Sequence, residues 1–286
     1  MKKSLILAGL LTLTAPALAF DLGGALQKLS DPETQKALGI GKKMLKSLKE
    51  IPEPQEIEIG QGVAANLLGA APLVRDEALQ QYVNKVGLWL ALQTERPNLP
   101  WRFGVTEDPD VNAFAAPGGT ILITRGLYEK LRNEGELAGV LAHEIAHVVQ
   151  KHQLKAIKSS LGREWQLELA QAVAEKKNSS DAAHTLKAFT AGTELFARGL
   201  DKNDEFEADR MGVVIAARAG YNPFGLVGSL QTLDAVNPQD GAVALMFKTH
   251  PSPAKRLEML SNAVGTRLDS YAESGKEPAR FHTLKK

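Results

Sequence analysis

From Asn133 onward the apolar residues Leu137, Val140, Leu141, Ile145 and Val148 recur at helical spacing, and Asn133 with Glu136 has the separation of an N-terminal capping pair. The pattern predicts a helix of about five turns. Ahead of it the period changes to two. Trp101 to Val105 alternates, Val111 to Ala115 is extended, and Thr120 to Thr124 is a β-branched run ended by Arg125-Gly126. Pro117-Gly118-Gly119 reads as the turn between the last two, so a small sheet precedes the helix. Gln61 to Ala91 returns to helical spacing, with Leu79, Tyr82, Val83, Val86 and Leu90 on one face. A further helix opens at Asp204 and continues through Met211, Val214, Ala217 and Gly220.

The flanks are less regular. Residues 21–50 carry Leu22, Leu26, Leu29, Leu38, Met44, Leu45 and Leu48 at helical spacing, broken at Asp31-Pro32, Gly39 and Gly41, which predicts two short amphipathic helices with a solvated lysine face. Ile51 to Glu56, with two prolines, reads as a linker. Residues 154–203 are partly helical with a mobile break at Lys176 to Asp181, and form a candidate lid. No internal repeat is present. The fold class expected is α+β, mainly helical, with a small sheet before the capped helix. The expected divisions are an N-terminal signal over 1–19, a helical extension and linker over 20–56, the main domain over 57–262 and a tail over 263–286.

The first nineteen residues change the picture. Met1-Lys2-Lys3 is basic, Leu5 to Leu13 is largely apolar but too short to span a bilayer, and Ala17-Leu18-Ala19 supplies small residues before a cleavage point. This is the pattern of a cleaved export signal. Its removal takes Lys2 and Lys3 and no acid, so the mature chain carries a net charge of −1. No later segment is apolar enough to cross a membrane, and a soluble exported protein is expected. The full chain has 34 Lys plus Arg against 33 Asp plus Glu, so no positive field draws in nucleic acid. With no cysteine there is no disulfide, thiolate metal site or cysteine nucleophile, and any metal takes His or carboxylate ligands.

The capped helix carries such ligands. In His143-Glu144-Ile145-Ala146-His147 the histidines lie one turn apart on one face, where both reach a single cation, and Glu144 stands beside them as a general base. A metzincin continues with Gly and His at positions held here by Gln150 and Gln153, so the third ligand lies farther downstream. Asp204 to Arg210 offers it. Glu205 and Asp209 are one turn apart, so one ligates while the other hydrogen-bonds the free ring nitrogen of a ligand histidine; Glu207 points elsewhere. His152, five residues past His147, turns off the ligand face and reads as a helix-end or packing residue, and His184 and His282 read as surface residues.

These segments, with Asn112-Ala113-Phe114-Ala115, Pro117-Gly118-Gly119, Asn133-Glu134, and His250-Pro251 followed by Arg256, resemble the HtpX-like and CAAX-prenyl-protease-like gluzincins, metallopeptidase family M forty-eight, from about Glu58 to Arg256. The resemblance implies a zincin-type domain holding one Zn2+ on His143, His147 and Glu205, with Glu144 as base and Asp209 orienting a ligand. It also puts His250 near the metal, as an oxyanion donor or as a fourth ligand that holds the resting enzyme shut. The absence of membrane helices makes the chain similar to the soluble periplasmic branch that acts in outer-membrane protein quality control, without that branch's helical-repeat tail.

The function expected is zinc-dependent endopeptidase activity on misfolded or unassembled envelope proteins, with outer-membrane assembly machinery as a partner and no nucleic acid. Asn112, Ile121 and Ile123 are the expected substrate-binding residues, the Thr120 to Thr124 strand accepting substrate backbone as an added strand. The alternatives are a zinc-containing, chaperone-like assembly factor with little turnover, and a hydrolase of cell-wall peptides.

Overall fold

A computed structural model of the chain describes residues 51–157, 159, 199–237, 240–272 and 281–284, all within the compact unit Leu48–Lys286. The expected signal, the two helices over 21–50, most of the candidate lid with its break at 176–181, and His184 lie outside the described residues. The described elements are α1 (Glu53–Ala70), α2 (Glu77–Ala91), β1 (Arg102–Thr106), β2 (Ala113–Ala116), β3 (Thr120–Thr124), α3 (Arg125–Tyr128), α4 (Glu134–Val149), α5 (Lys202–Arg218), α6 (Gly225–Asp234), a 3-10 turn (Gly241–Val243), α7 (Ala244–Thr249), α8 (Pro253–Val264) and α9 (Asp269–Ala272). Residues 152–157 are also helical. The chain is thus mainly helical with a small sheet before its central helix, as the periodicities predict.

The sheet has the order β1-β3-β2, with β1 parallel and β2 antiparallel to β3. Gly118 at φ 76° and Gly119 at φ 109° make the tight connection between β2 and β3, a region that other L residues rarely enter. The outer edge of β1 is closed by α2: Asn84 Oδ1 accepts from Phe103 N at 3.0 Å, and Gln80 Oε1 accepts from Val105 N at 2.9 Å. β2 forms the other edge. This order corrects the expected substrate strand. β3 is central, bonded on both sides, and Ile121 and Ile123 are fully buried, so they hold the core and cannot take an added strand. A β-branched run reveals a buried strand but carries no information about strand order.

α4 runs through the core with every residue from Glu134 to Val148 buried. The Asn133 side chain caps it, accepting from Glu136 N at 2.9 Å. Buried Glu134 is held by Tyr82 of α2 and Tyr221 beyond α5, whose hydroxyls each donate at 2.9 Å. Charged groups at the start of a fully enclosed helix are tolerated because they are bonded in this way.

Two expected boundaries differ. The run from Glu53 to Glu56 is the first turn of α1 rather than a linker: Pro52 is its N-cap and Pro54 lies in the first turn, where a missing N–H costs no helical bond. Glu56 is buried and takes Arg96 through both carboxylate oxygens at 2.8 and 3.0 Å, with Lys151 at 3.2 Å. Burial would raise its carboxyl, but Arg96 and Lys151 together hold it below the usual range. The helical stretch from Gln61 to Ala91 is broken at residues 71–76, where Asp76 caps α2 through Leu79 N. In the tail, the Phe281 ring stacks on Tyr128, and the Tyr128 hydroxyl donates to the His282 carbonyl at 2.5 Å. His282 Nε2 reaches Asp76 at 3.1 Å, so it is a half-buried docking residue rather than a free surface one.

Candidate metal centre

α4 puts His143 and His147 on one face, their rings edge-on with centroids 4.6 Å apart and their Nε2 atoms 3.1 Å apart. α5 crosses directly over them. Asp201 caps its first turn, accepting from Asn203 N at 2.8 Å. Gly212 lets the two helices approach, since a Cβ there would stand 3.0 Å from His143 N. The crossing carries Glu205 to the histidines: Oε1 lies 3.5 Å from His147 Nε2 and Oε2 lies 3.8 Å from His143 Nε2.

These separations bear on whether a zinc ion fits. Two ligand atoms about 2.0–2.1 Å from a tetrahedral ion stand about 3.3–3.4 Å from each other. The three observed distances bracket that value, and the three residues could hold a metal ion. Glu205 supports the same reading, because it is fully buried and neither carboxylate oxygen has a hydrogen-bond partner among the described residues. Burial, against the opposing charge of Arg256, pushes its carboxyl up to about 8. A carboxylate this poorly served by protein donors is a fit partner for a cation.

Around the three lie the other expected groups. Asp209, one turn after Glu205, accepts from His143 Nδ1 at 2.9 Å, which leaves the Nε2 lone pair directed at the cluster. Burial alone would raise the Asp209 carboxyl, but Arg256 and His143 hold it well below the carboxylate range. Arg256 of α8, itself buried, grips Asp209 with Nη2 at 2.6 Å and Nε at 3.0 Å. Glu144 lies beside His143 and His250, and burial pushes it up to about 7. His250, the C-cap of α7, brings Nε2 to 3.8 Å from Glu205 Oε2, and burial pushes it down to about 3.

A recess of about 390 Å³ opens over the cluster, with Glu144, His147, Glu205 and His250 on its floor and Asn112 to Ala115 along one side. Asn112 is therefore brought to the site, whereas Ile121 and Ile123 are not. Asn112 is itself tightly held, its N–H and C=O both bonded to Thr124 Oγ1 at 2.9 and 2.8 Å. Neither Arg256 as the partner of Asp209 nor His152 beside His147 follows from residue spacing. His152 is fully buried with Nδ1 at 2.9 Å from His147 Nδ1.

The family model described as Peptidase family M48 matches residues 77–264, about two thirds of the chain. The beta-barrel assembly-enhancing protease of Escherichia coli (strain K12) is 28% identical over 226 residues, covering 78% of this chain and 46% of the relative. The protein of that name from Yersinia pestis is 30% identical over 211 residues, 73% of this chain and 43% of the relative. The mitochondrial metalloendopeptidase OMA1 of Schizosaccharomyces pombe is 32% identical over 180 residues, 63% of this chain and 51% of the relative. The chain spans about half the length of these curated relatives.

Proposed function

The chain belongs to peptidase family M48, and from that premise we propose that it is a zinc-dependent endopeptidase acting on misfolded or unassembled envelope proteins in the periplasm. The observation that carries the reading is the convergence of His143 Nε2, His147 Nε2 and the otherwise unpartnered Glu205 carboxylate beneath a recess that also holds Glu144. His143, His147 and Glu205 would hold the ion. A zinc ion there supplies a Lewis acid for a peptide carbonyl.

The chain's own residues do the rest. Glu144 takes the proton of the attacking water and returns it to the departing amine, and a carboxyl raised by burial is suited to both transfers near neutral pH. β2 is the sheet edge beside the recess, and it replaces β3 as the strand against which an extended substrate lies. Backbone pairing of that kind selects extended chain over any one sequence, which favours unfolded clients. Relatives named for β-barrel assembly support an envelope role, and the export signal expected over 1–19 supports the periplasm. Among the described residues no helix is long and apolar enough to cross a membrane.

The hydrogen bonds of Thr249 favour one of the two parts open to His250. The Thr249 hydroxyl donates to Leu245 O at 2.8 Å and so spends its one proton, which makes Oγ1 the acceptor for His250 Nδ1–H at 3.0 Å. Neutral His250 then presents a lone pair, not a donor, at Nε2. This favours a fourth ligand that gives way to substrate over the oxyanion donor.

Cleavage of unfolded casein by the purified chain tests the proposal. Wild type is expected to cut, to stop when a chelator strips the metal, and to recover with added zinc. His250→Ala is expected to cut faster than wild type. If neither protein cuts when zinc-loaded, the endopeptidase reading fails and a polypeptide-binding factor takes its place.

A further inference from the structure

His152 serves none of the steps above, yet its surroundings are highly specified. Its ring is fully buried, edge-on to His147 with centroids 5.1 Å apart, and the two Nδ1 atoms are 2.9 Å apart. Its Nε2 is enclosed, 3.4 Å from Asp204 Oδ1 and 3.4 Å from Glu207 Oε2. Those carboxylates flank Glu205 on α5. The backbone makes an unusual move to bring the ring there. Lys151, at φ 58°, is the one non-glycine residue with positive φ among the described residues. L residues adopt that conformation at a cost, and it persists where the surroundings over-determine it. Had α4 continued regularly, a residue five past His147 would face away from it. The turn at Lys151 ends α4 and returns the next side chain to the ligand.

We propose that His152 is a positioning residue for His147, fixing the tautomer and orientation that a metal ligand requires. The inference rests on the reading of His147 Nε2 as a ligand. Two ring nitrogens 2.9 Å apart share one proton. A ligating Nε2 uses its lone pair, so neutral His147 carries its proton on Nδ1 and donates it to His152 Nδ1. Neutral His152 then carries its own proton on Nε2, which the carboxylates of Asp204 and Glu207 face as charges. Each ligand histidine is thereby oriented from α5: His143 directly by Asp209, and His147 through one intervening imidazole. α5 supplies the third ligand and the orientation of the other two.

The same proton count weighs against the other chemistry this cluster suggests. His152, Asp204 and Glu207 lie close enough to enclose a cation. That ion would need the Nε2 lone pair while Nδ1 accepts from His147, leaving His152 with no proton at all.

The test is zinc affinity, read by competition with a chromophoric chelator, together with zinc content and the melting temperature of the metal-free chain. His152→Leu removes the acceptor and is expected to weaken zinc binding about 10–100-fold without moving the metal-free melting temperature. His152→Asn offers a side-chain oxygen near the Nδ1 position and is expected to recover most of the loss. Asp204→Asn with Glu207→Gln lies at the rim and keeps the test open should His152→Leu not fold; a several-fold loss is expected. Unchanged affinity in His152→Leu, or in the rim pair where the former does not fold, overturns the proposal. So does a wild type that holds two zinc ions of which the rim pair loses one. A wild type that holds no zinc overturns the ligand reading as well, which separates the two failures.

Discussion

Glu144→Gln is expected to lower kcat/KM on an unfolded protein about a hundred- to ten-thousand-fold, the range that general acid–base catalysis supplies. Gln keeps the shape and fills the same buried space but cannot accept and return a proton. Glu144 is adjacent to His143 in sequence, yet it lines the recess with His250 and is not part of the His143, His147 and Glu205 set. Zinc content and melting temperature are therefore expected to stay at wild-type values. That combination separates a base from a ligand, since loss of a ligand would empty the site as well. Parallel measurements of turnover, metal content and thermal unfolding on both proteins check it. A variant that cuts as fast as wild type removes Glu144 from the mechanism.

Arg256→Leu carries the second large effect. The guanidinium holds both oxygens of Asp209, at 2.6 and 3.0 Å, and both side chains are buried. Breaking a buried pair by removing one partner leaves an uncompensated charge and costs about 3–5 kcal/mol. Asp209 also orients His143 through Nδ1, so its displacement toward solvent is expected to loosen the metal along with the fold. Urea unfolding of the metal-free chain measures the first consequence and chelator competition the second. Asp209→Asn with Arg256→Leu is expected to be less destabilising than Arg256→Leu alone, because no charge is then stranded. A single variant as stable as wild type would show that the pair is replaceable and the buried carboxylate satisfied by other means.

How far the sequence reached depends on what kind of information each element required. The spacing of His143 and His147 and the cap at Asn133 are local, and α4 starts at the residue after that cap. The three strands lie within two residues of their expected ends for the same reason. Strand order is not local. Thr120 to Thr124 reads as a strong strand because it is buried on both faces, and that very burial disqualifies it from binding substrate.

His152 escaped for a comparable reason. Helical geometry turns a residue five past His147 away from the ligand face, and nothing in Gln150-Lys151-His152 announces that a lysine adopts the left-handed conformation. Arg256 was visible within a motif, but its pairing with Asp209 joins segments 47 residues apart and needs the packing of α8 on α5. At Pro52 and Pro54 two prolines looked like a break and instead open a helix, which they tolerate in its first turn.

Anomalous diffraction at the zinc edge, from crystals of the zinc-loaded chain, tests the central claim most directly. The account predicts one strong peak about 2.0–2.2 Å from Nε2 of His143, Nε2 of His147 and a carboxylate oxygen of Glu205, with Glu144 outside the coordination sphere. A peak centred on His152, Asp204 and Glu207, or an ion bound by Glu144 in place of Glu205, would contradict it.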